Sequence, residues 1–337
     1  MPIERIAVDP TKHRAEWLAL RQCDITASDV PAVCGEGMFG SPAKVWAEKR
    51  GLIPPVELND AMKRGMWGEA AVFSAIEWEY PDWEVRRAKV YFRDAEARLG
   101  ATPDGAVIIP GRDGVGIIQT KVIAKPVFQM HWLADPEDDY SQVIAPLGYQ
   151  LQTLTESMLS DADYAMIAAL VVDTFKWSLH IVPVDRNPGA EQVIRNRVAA
   201  FCRDFLDTGV QPAIDPERDE DLVKRLFPKD VGTTIDLSGD NEAPMLVDEL
   251  AIARALKKEG EGREKIAKTA LAGKLGETPT ASSLMAGRSA SKLKSAADTW
   301  SSRPASASCA SARGNSDECT YSDRRSAERR QYQATHF

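Results

Sequence analysis

Chemistry in this chain has to come from carboxylates, amides and lysine. The sequence has no G-x-x-x-x-G-K-[ST] phosphate loop and no G-x-S-x-G nucleophile elbow. Its four histidines (His13, His131, His180, His336) are isolated from one another. One segment stands out: Gly100-Ala101-Thr102-Pro103-Asp104-Gly105, followed by Ile117-Ile118-Gln119-Thr120-Lys121-Val122. Side chains alternate along an extended strand, so Gln119 and Lys121 share one face while Ile118, Thr120 and Val122 share the other. Asp104 sits in a Pro-Asp-Gly bend. A hard cation prefers oxygen ligands, which Asp104, Gln119 and the backbone carbonyl of Thr120 could supply. Lys121 would then lie beside the ion, able to orient a water and to balance charge on a phosphate. Pro-Asp-Gly is equally a common turn tripeptide, and Lys121 could be a solvated strand residue.

A third element adds a carboxylate. Over residues 60–80 the sequence predicts a helix whose Met62, Met66, Phe73, Ile76 and Tyr80 fall on one face, with Glu69 in the middle of it. A carboxylate on an apolar stripe costs several kcal/mol unless it is paired or ligates a metal. Arg64 or Arg86 could pair with it, or a metal site could use it.

The motifs taken together resemble a known family. Gly65 to Glu69 as G-x-x-x-E, Pro103-Asp104-Gly105 and Gln119-Thr120-Lys121 are similar to the core of the PD-(D/E)xK nucleases. Their order and spacing resemble the lambda-exonuclease/YqaJ-type viral recombinase branch. Arg21-Gln22-Cys23-Asp24-Ile25-Thr26-Ala27-Ser28 resembles that branch's R-x-x-x-I-T-A-S motif, and Tyr149-Gln150-Leu151-Gln152 its Q-h-Q helix. The resemblance covers roughly residues 14–210.

The resemblance implies a restriction-endonuclease-like α/β fold with a mixed central sheet flanked by helices. It implies a metal-dependent deoxyribonuclease that degrades linear duplex DNA from 5′ ends in phage-type recombination. Asp104, Gln119 and Glu69 would gather Mg²⁺, with Mn²⁺ as a substitute, and Lys121 would assist the attacking water. Arg21 and Ser28 would hold the terminal 5′ phosphate, which suits a guanidinium fork and a hydroxyl near a helix N-terminus. Gln150 would support the site. The implied partners are double-stranded DNA ends and a single-strand annealing protein, and the lambda member of the family suggests a ring-shaped homo-oligomer. The departure is Gln119, where the family usually carries Glu. One negative charge is lost, so metal affinity should fall and a second ion becomes harder to hold. Two other functions fit the same core: a structure- or site-specific endonuclease, or an impaired DNA-end binding protein.

Around these residues the elements read as follows. His13 to Arg21 is a short helix, and Thr26 or Ser28 caps a second that ends near Gly35. Ser41-Pro42 opens a third, closed by Gly51. Strands are expected at 84–92, 106–109 and 116–123, with a turn at Gly111 to Gly114 between the last two. Residues 141–159 form a helix, 164–172 and 175–184 an apolar hairpin around Asp173-Thr174, and 189–207 another helix. Residues 208–244, rich in Pro, Gly and Asp, read as a connector. Residues 245–275 read as amphipathic helix, broken in two by Gly260 and Gly262. This predicts a nuclease domain at 1–210, a connector and helical appendage at 211–281, and an unstructured Ser/Ala/Arg-rich tail at 282–337.

Composition bounds the reading. At 337 residues, 44% hydrophobic and 27% charged, the chain can bury a sizeable core. The five cysteines (Cys23, Cys34, Cys202, Cys309, Cys319) form no C-x-x-C pair, so reduced thiols in a cytoplasmic protein are expected. No run is long and apolar enough for a membrane span, and the charged N-terminus does not read as a secretory signal. The net charge of −8 is split: nine basic and five acidic residues in 282–337, 33 and 45 before it. A nuclease that concentrates carboxylates for Mg²⁺ can still be acidic, because bound cations meet the phosphates locally.

Overall fold

A computed structural model describes residues 2–275 except 11, 38–39, 54–59, 230–231 and 238, and the backbone alone at 61, 62 and 275. The expected tail at 282–337 lies outside the described residues.

In chain order the elements are β1 (Glu4–Ala7), α1 (Arg14–Cys23), β2 (Ile25–Thr26), α2 (Val30–Val33), α3 (Pro42–Lys49) and α4 (Asp60–Glu79). Then follow β3 (Glu84–Arg87), β4 (Val90–Asp94), β5 (Leu99–Ala101), β6 (Gly105–Ile108), β7 (Gly116–Ala124), α5 (Lys125–Trp132) and α6 (Leu147–Ser160). The series ends with β8 (Tyr164–Val172), β9 (Trp177–Val184), α7 (Pro188–Phe201), a π-helical turn (Cys202–Leu206), α8 (Glu220–Leu226) and α9 (Ala243–Leu275).

The larger sheet has the order β3-β6-β7-β8-β9, antiparallel except where β7 and β8 run parallel. A parallel pair needs a crossover, and α5 and α6 provide it. The first eight residues of β8 are buried, an apolar run with both faces covered. On one face Val72 and Ile76 of α4 pack with Val107, Ile118, Met166 and Leu170. On the other Ile117, Ile167 and Ala169 meet Leu154 and Met158 of α6. This is the mixed α/β architecture that the sequence predicts.

The smaller sheet, β1-β4-β5-β2, is not expected from the sequence. The stretch 84–92, predicted as a single strand, is two, in different sheets: β3 pairs with β6 and β4 with β1 and β5. Its alternation does not change at Ala88-Lys89, so periodicity alone cannot find the switch. The helix expected from 141 starts at Leu147, because Pro146 lacks the N–H an interior position needs and stands at the N-cap. α5, not anticipated, opens with Pro126 in its first turn. Ser41 does cap α3, accepting from the Lys44 N–H, and Gly51 follows at φ +66°.

Part of the expected connector belongs to the core. One compact unit runs to Thr233. Within it, Asp219 is buried and accepts the Ser41 hydroxyl at 2.5 Å, and Leu222 is 1% exposed. In the second unit α9 is one helix, and Gly260 and Gly262 do not break it. Each glycine costs only about 1 kcal/mol relative to Ala. The ion pairs Glu259–Arg263 and Glu264–Lys268, one turn apart, span and follow them.

Candidate functional site

Asp104 stands at the entry to β6, and one of its oxygens gathers three donors from β7. Oδ2 accepts the Gln119 amide at 2.8 Å, the Thr120 backbone N–H at 2.7 Å and the Thr120 hydroxyl at 2.7 Å. Three donors on one oxygen fix the carboxylate and leave Oδ1 outside these bonds. Gln119 is 4% exposed, and its carbonyl oxygen is buried with no hydrogen-bond partner. An orphaned buried acceptor costs about 1–3 kcal/mol unless something else meets it.

Glu69 reaches this neighbourhood by a different route from the one the apolar stripe suggests. Met66 is 53% exposed, and the buried face of α4 runs through Val72, Phe73 and Ile76, so Glu69 is half-buried on its flank. The side chain of Met62 lies outside the described residues. The close approach of α4 to β7 is made by Gly68, where a Cβ would stand 2.5 Å from Val122 Cγ2. Gly65, the glycine of the G-x-x-x-E motif, faces open space. Burial raises the Glu69 pKa, the Asp104 charge raises it further, and Arg87 opposes them. Neither Arg64 nor Arg86 is its partner among the described contacts; Arg86 pairs with Glu84.

Lys121 shares the Gln119 face, as the strand alternation predicts. Its ammonium lies 3.4 Å from Gln152 Oε1 and 4.9 Å from the centre of the Tyr149 ring. Burial lowers its pKa, while Asp104 and Glu156 raise it. Gln150 is directed elsewhere: its amide donates to Ala145 O at 2.6 Å, and its neighbour Gln152 is the residue that meets Lys121. Gln152 also donates to Glu156 at 2.9 Å. Glu156, 1% exposed, belongs to none of the sequence motifs, and with Gln152 and Thr153 one turn before it no apolar stripe marks it.

Arg21 and Ser28 come together at 2.9 Å. Arg21 lies over the Trp17 ring at 4.5 Å, and the Trp17 indole donates to Thr102 Oγ1 at 3.0 Å, two residues before Asp104. α1 is thereby tied to the segment that carries Asp104. The Ile-Thr-Ala-Ser motif is a hub: Ile25 and Ala27 are in the core, and Thr26 donates to Asp29 Oδ2 at 2.7 Å and meets Ser28 at 2.9 Å. Lys49 closes the hub, 2.8 Å from Asp29 and donating to Arg21 O at 2.7 Å. A cavity of about 300 Å³ opens between Ser28, Lys44 and Glu48 on one side and Tyr149 and Gln152 on the other.

Among the described residues no group of three or more His, Cys, Asp or Glu could hold a metal ion. The donors that fit a hard cation are mixed: the Asp104 carboxylate, the unpartnered Gln119 carbonyl and the nearby Glu69. Among them they carry two formal charges, one fewer than an all-carboxylate set.

The fold is a mixed sheet covered by helices, with Asp104, Gln119 and Lys121 brought together where β6 and β7 pair. Residues 16–163 match the model of the YqaJ-like viral recombinase domain. Among solved structures, the alkaline exonuclease of Laribacter hongkongensis is similar at 18% identity over 58% of this chain and 93% of its own, with a TM-score of 0.41. A phage related exonuclease from Haemophilus somnus 129PT is 14% identical over 55% of this chain and 96% of its own, with a TM-score of 0.39. No curated protein matches the sequence. Among the described residues no helix is long and apolar enough to cross a membrane.

Proposed function

We propose that the chain is a divalent-metal-dependent deoxyribonuclease that digests linear duplex DNA from its 5′ ends. The observation that carries this reading is geometric. Arg21 and Ser28 of the expected end-binding pair meet at 2.9 Å, and Arg21 stacks on Trp17, whose indole donates to Thr102, two residues before Asp104. Asp104 in turn accepts the Gln119 amide at 2.8 Å, so the expected end-binding and metal-holding residues are linked by direct contacts.

Asp104, Gln119 and Glu69 are the residues that would hold Mg²⁺ or Mn²⁺, with the Thr120 carbonyl as a further donor. A bound ion of this kind supplies Lewis-acid polarisation of the phosphate and a water of lowered pKa. The Lys121 ammonium orients the attacking water and balances charge building on the phosphate. Arg21 offers two N–H groups to a terminal phosphate, and the exposed Ser28 hydroxyl adds a third contact. An end-binding pair has no use in an enzyme that cuts internally, so it favours exonuclease over endonuclease action. The product, a 3′ single-stranded tail, is what a strand-annealing partner in recombination would take up.

The test compares end-labelled linear duplex bearing a 5′ phosphate or a 5′ hydroxyl with covalently closed circles, in Mg²⁺. Wild-type protein should digest the phosphorylated duplex fastest, and Lys121→Ala should lose most of the rate. Rapid cutting of closed circles would overturn the exonuclease reading. A second reading, an end-binding protein with impaired catalysis, is favoured by one observation: Gln119 spends its amide on Asp104 where the family's Glu would bring charge. In that case Asp104→Ala leaves DNA-end binding unchanged and no digestion is seen in the wild type.

A further inference from the structure

Glu156 has no part in the reaction described above, yet it is a carboxylate buried beside the site. It sits on α6 at 1% exposure, and its Oε2 has no hydrogen-bond partner. Its other oxygen, Oε1, accepts the Gln152 side-chain N–H at 2.9 Å, one helical turn away. An amide has one donating and one accepting end. Since Glu156 occupies the donating end, the Gln152 carbonyl is the end left to face Lys121, at 3.4 Å. Without an acceptor at position 156 only the Lys121 ammonium itself would select the orientation, across a long 3.4 Å contact, and in the flipped one Gln152 would present N–H to that ammonium. The Tyr149 ring, 4.9 Å from the same ammonium, holds Lys121 from the side.

A buried carboxylate with one oxygen unsatisfied is destabilising, so a purely structural role does not account for it. An apolar residue of the same volume would pack better. Burial, with Asp104 nearby, pushes the Glu156 pKa up to about 8, while Gln152, Lys121 and Arg21 pull the other way. The group therefore also accepts when uncharged, through its carbonyl oxygen.

We propose that Glu156 is a positioning residue: by fixing the orientation of the Gln152 amide it aims the Lys121 ammonium at the Asp104–Gln119 edge. This rests on the nuclease reading above, with Lys121 as the group that assists water. The three side chains act in series, 156 on 152 and 152 on 121.

Four proteins test the assignment on 5′-phosphorylated linear duplex in Mg²⁺: wild type, Glu156→Leu, Glu156→Gln and Gln152→Leu, with the double variant Gln152→Leu/Glu156→Leu completing a cycle. Glu156→Leu is expected to lose about tenfold or more in kcat, the loss of one hydrogen bond to a charged group, with KM within about twofold. Its Tm should rise, because an unsatisfied buried polar group is removed. Glu156→Gln keeps an acceptor at the same place and should retain wild-type kcat within about threefold. The double variant should be no slower than Gln152→Leu alone, the signature of residues acting in series. Equal kcat for wild type and Glu156→Leu, or additive losses in the double variant, overturns the assignment while leaving the nuclease reading intact. A fall in Tm with matching loss in both Glu156→Leu and Glu156→Gln marks a structural residue and overturns it too. Wild-type protein that leaves the duplex untouched overturns the nuclease reading, and the assignment with it.

Discussion

Restoring the family's acidic residue at position 119 is the perturbation that interrogates the site most directly. In the wild type the Gln119 amide donates to Asp104 Oδ2 at 2.8 Å, alongside two donors from Thr120. Gln119→Glu removes that charge-assisted bond, worth about 1.5–3 kcal/mol. It also sets a second carboxylate against Asp104, in a place that is 4% exposed. Two like charges about 4 Å apart repel by roughly 4 kcal/mol at an effective dielectric of about 20, and uptake of one shared proton relieves part of that. The metal-free variant should therefore be less stable by about 2–5 kcal/mol, or on the order of 5–15 °C in Tm for a domain of this size. Mg²⁺ or Mn²⁺ should reverse this, because the added charge faces the cation. An ion present at about 100 times its Kd returns roughly 2.7 kcal/mol. Thermal unfolding with EDTA and with Mn²⁺ measures both halves, and digestion of end-labelled duplex reads activity in parallel. A metal-free variant as stable as wild type would refute the hydrogen-bond argument. A variant whose Tm responds to Mn²⁺ no more than wild type would refute the assignment of position 119 to a metal site. Digestion by the variant where wild type leaves DNA untouched identifies the native chain as a crippled nuclease.

Other expectations follow from the same geometry. Glu156 binds its proton more tightly folded than unfolded, with a pKa about 8 against 4.5, so its contribution to stability is fully present below about pH 4.5 and lost as pH rises through about 8. That amounts to roughly 3–5 kcal/mol, and in metal-free denaturation the Glu156→Gln variant should show a flatter pH profile; an unchanged slope would contradict the burial argument. Gly68→Ala places a Cβ 2.5 Å from Val122 and should cost about 1–3 kcal/mol by overpacking, with the loss relieved by Val122→Ala; chemical denaturation decides. Arg21→Ala should abolish the preference for 5′-phosphorylated over 5′-hydroxyl ends while leaving stability within about 1 kcal/mol of wild type, and an undiminished preference would remove Arg21 from the end pocket.

The parts of the fold legible in the sequence are those set by local patterns. The alternation at 116–124 places Gln119 and Lys121 on one face, and β7 has that geometry. Ser41-Pro42 and Gly51 bracket a helix because a capping hydroxyl, a proline in the first turn and a positive-φ glycine each satisfy a backbone need at fixed positions. What local pattern cannot show depends on contacts distant in sequence. Residues 84–92 look like one strand because each half alternates normally, and only its separate partners divide it. Motif spacing points to Gly65, whereas packing against Val122 selects Gly68. Glu156 has the sequence context of an ordinary helix position, as its burial arises from Gln152 and the underlying sheet. α8 has the composition of a linker because its anchors, Asp219 to Ser41 and Leu222, reach across 178 residues of chain.

The chain crosses between the two sheets twice in quick succession, once at Ala88-Lys89 from β3 to β4 and once at Thr102–Asp104 from β5 to β6. The crossings are laced together, with the Ala88 N–H donating to Asp104 O at 3.0 Å. The smaller sheet carries β2, from which Ser28 follows, and the larger carries Gln119 and Lys121. Asp104 thus sits at the hinge pin of a two-leaf assembly. Arg21, which stacks on Trp17 and bonds Ser28, is tied through the Trp17–Thr102 hydrogen bond to the same crossing, so one short segment of chain anchors both leaves to the Asp104 bend.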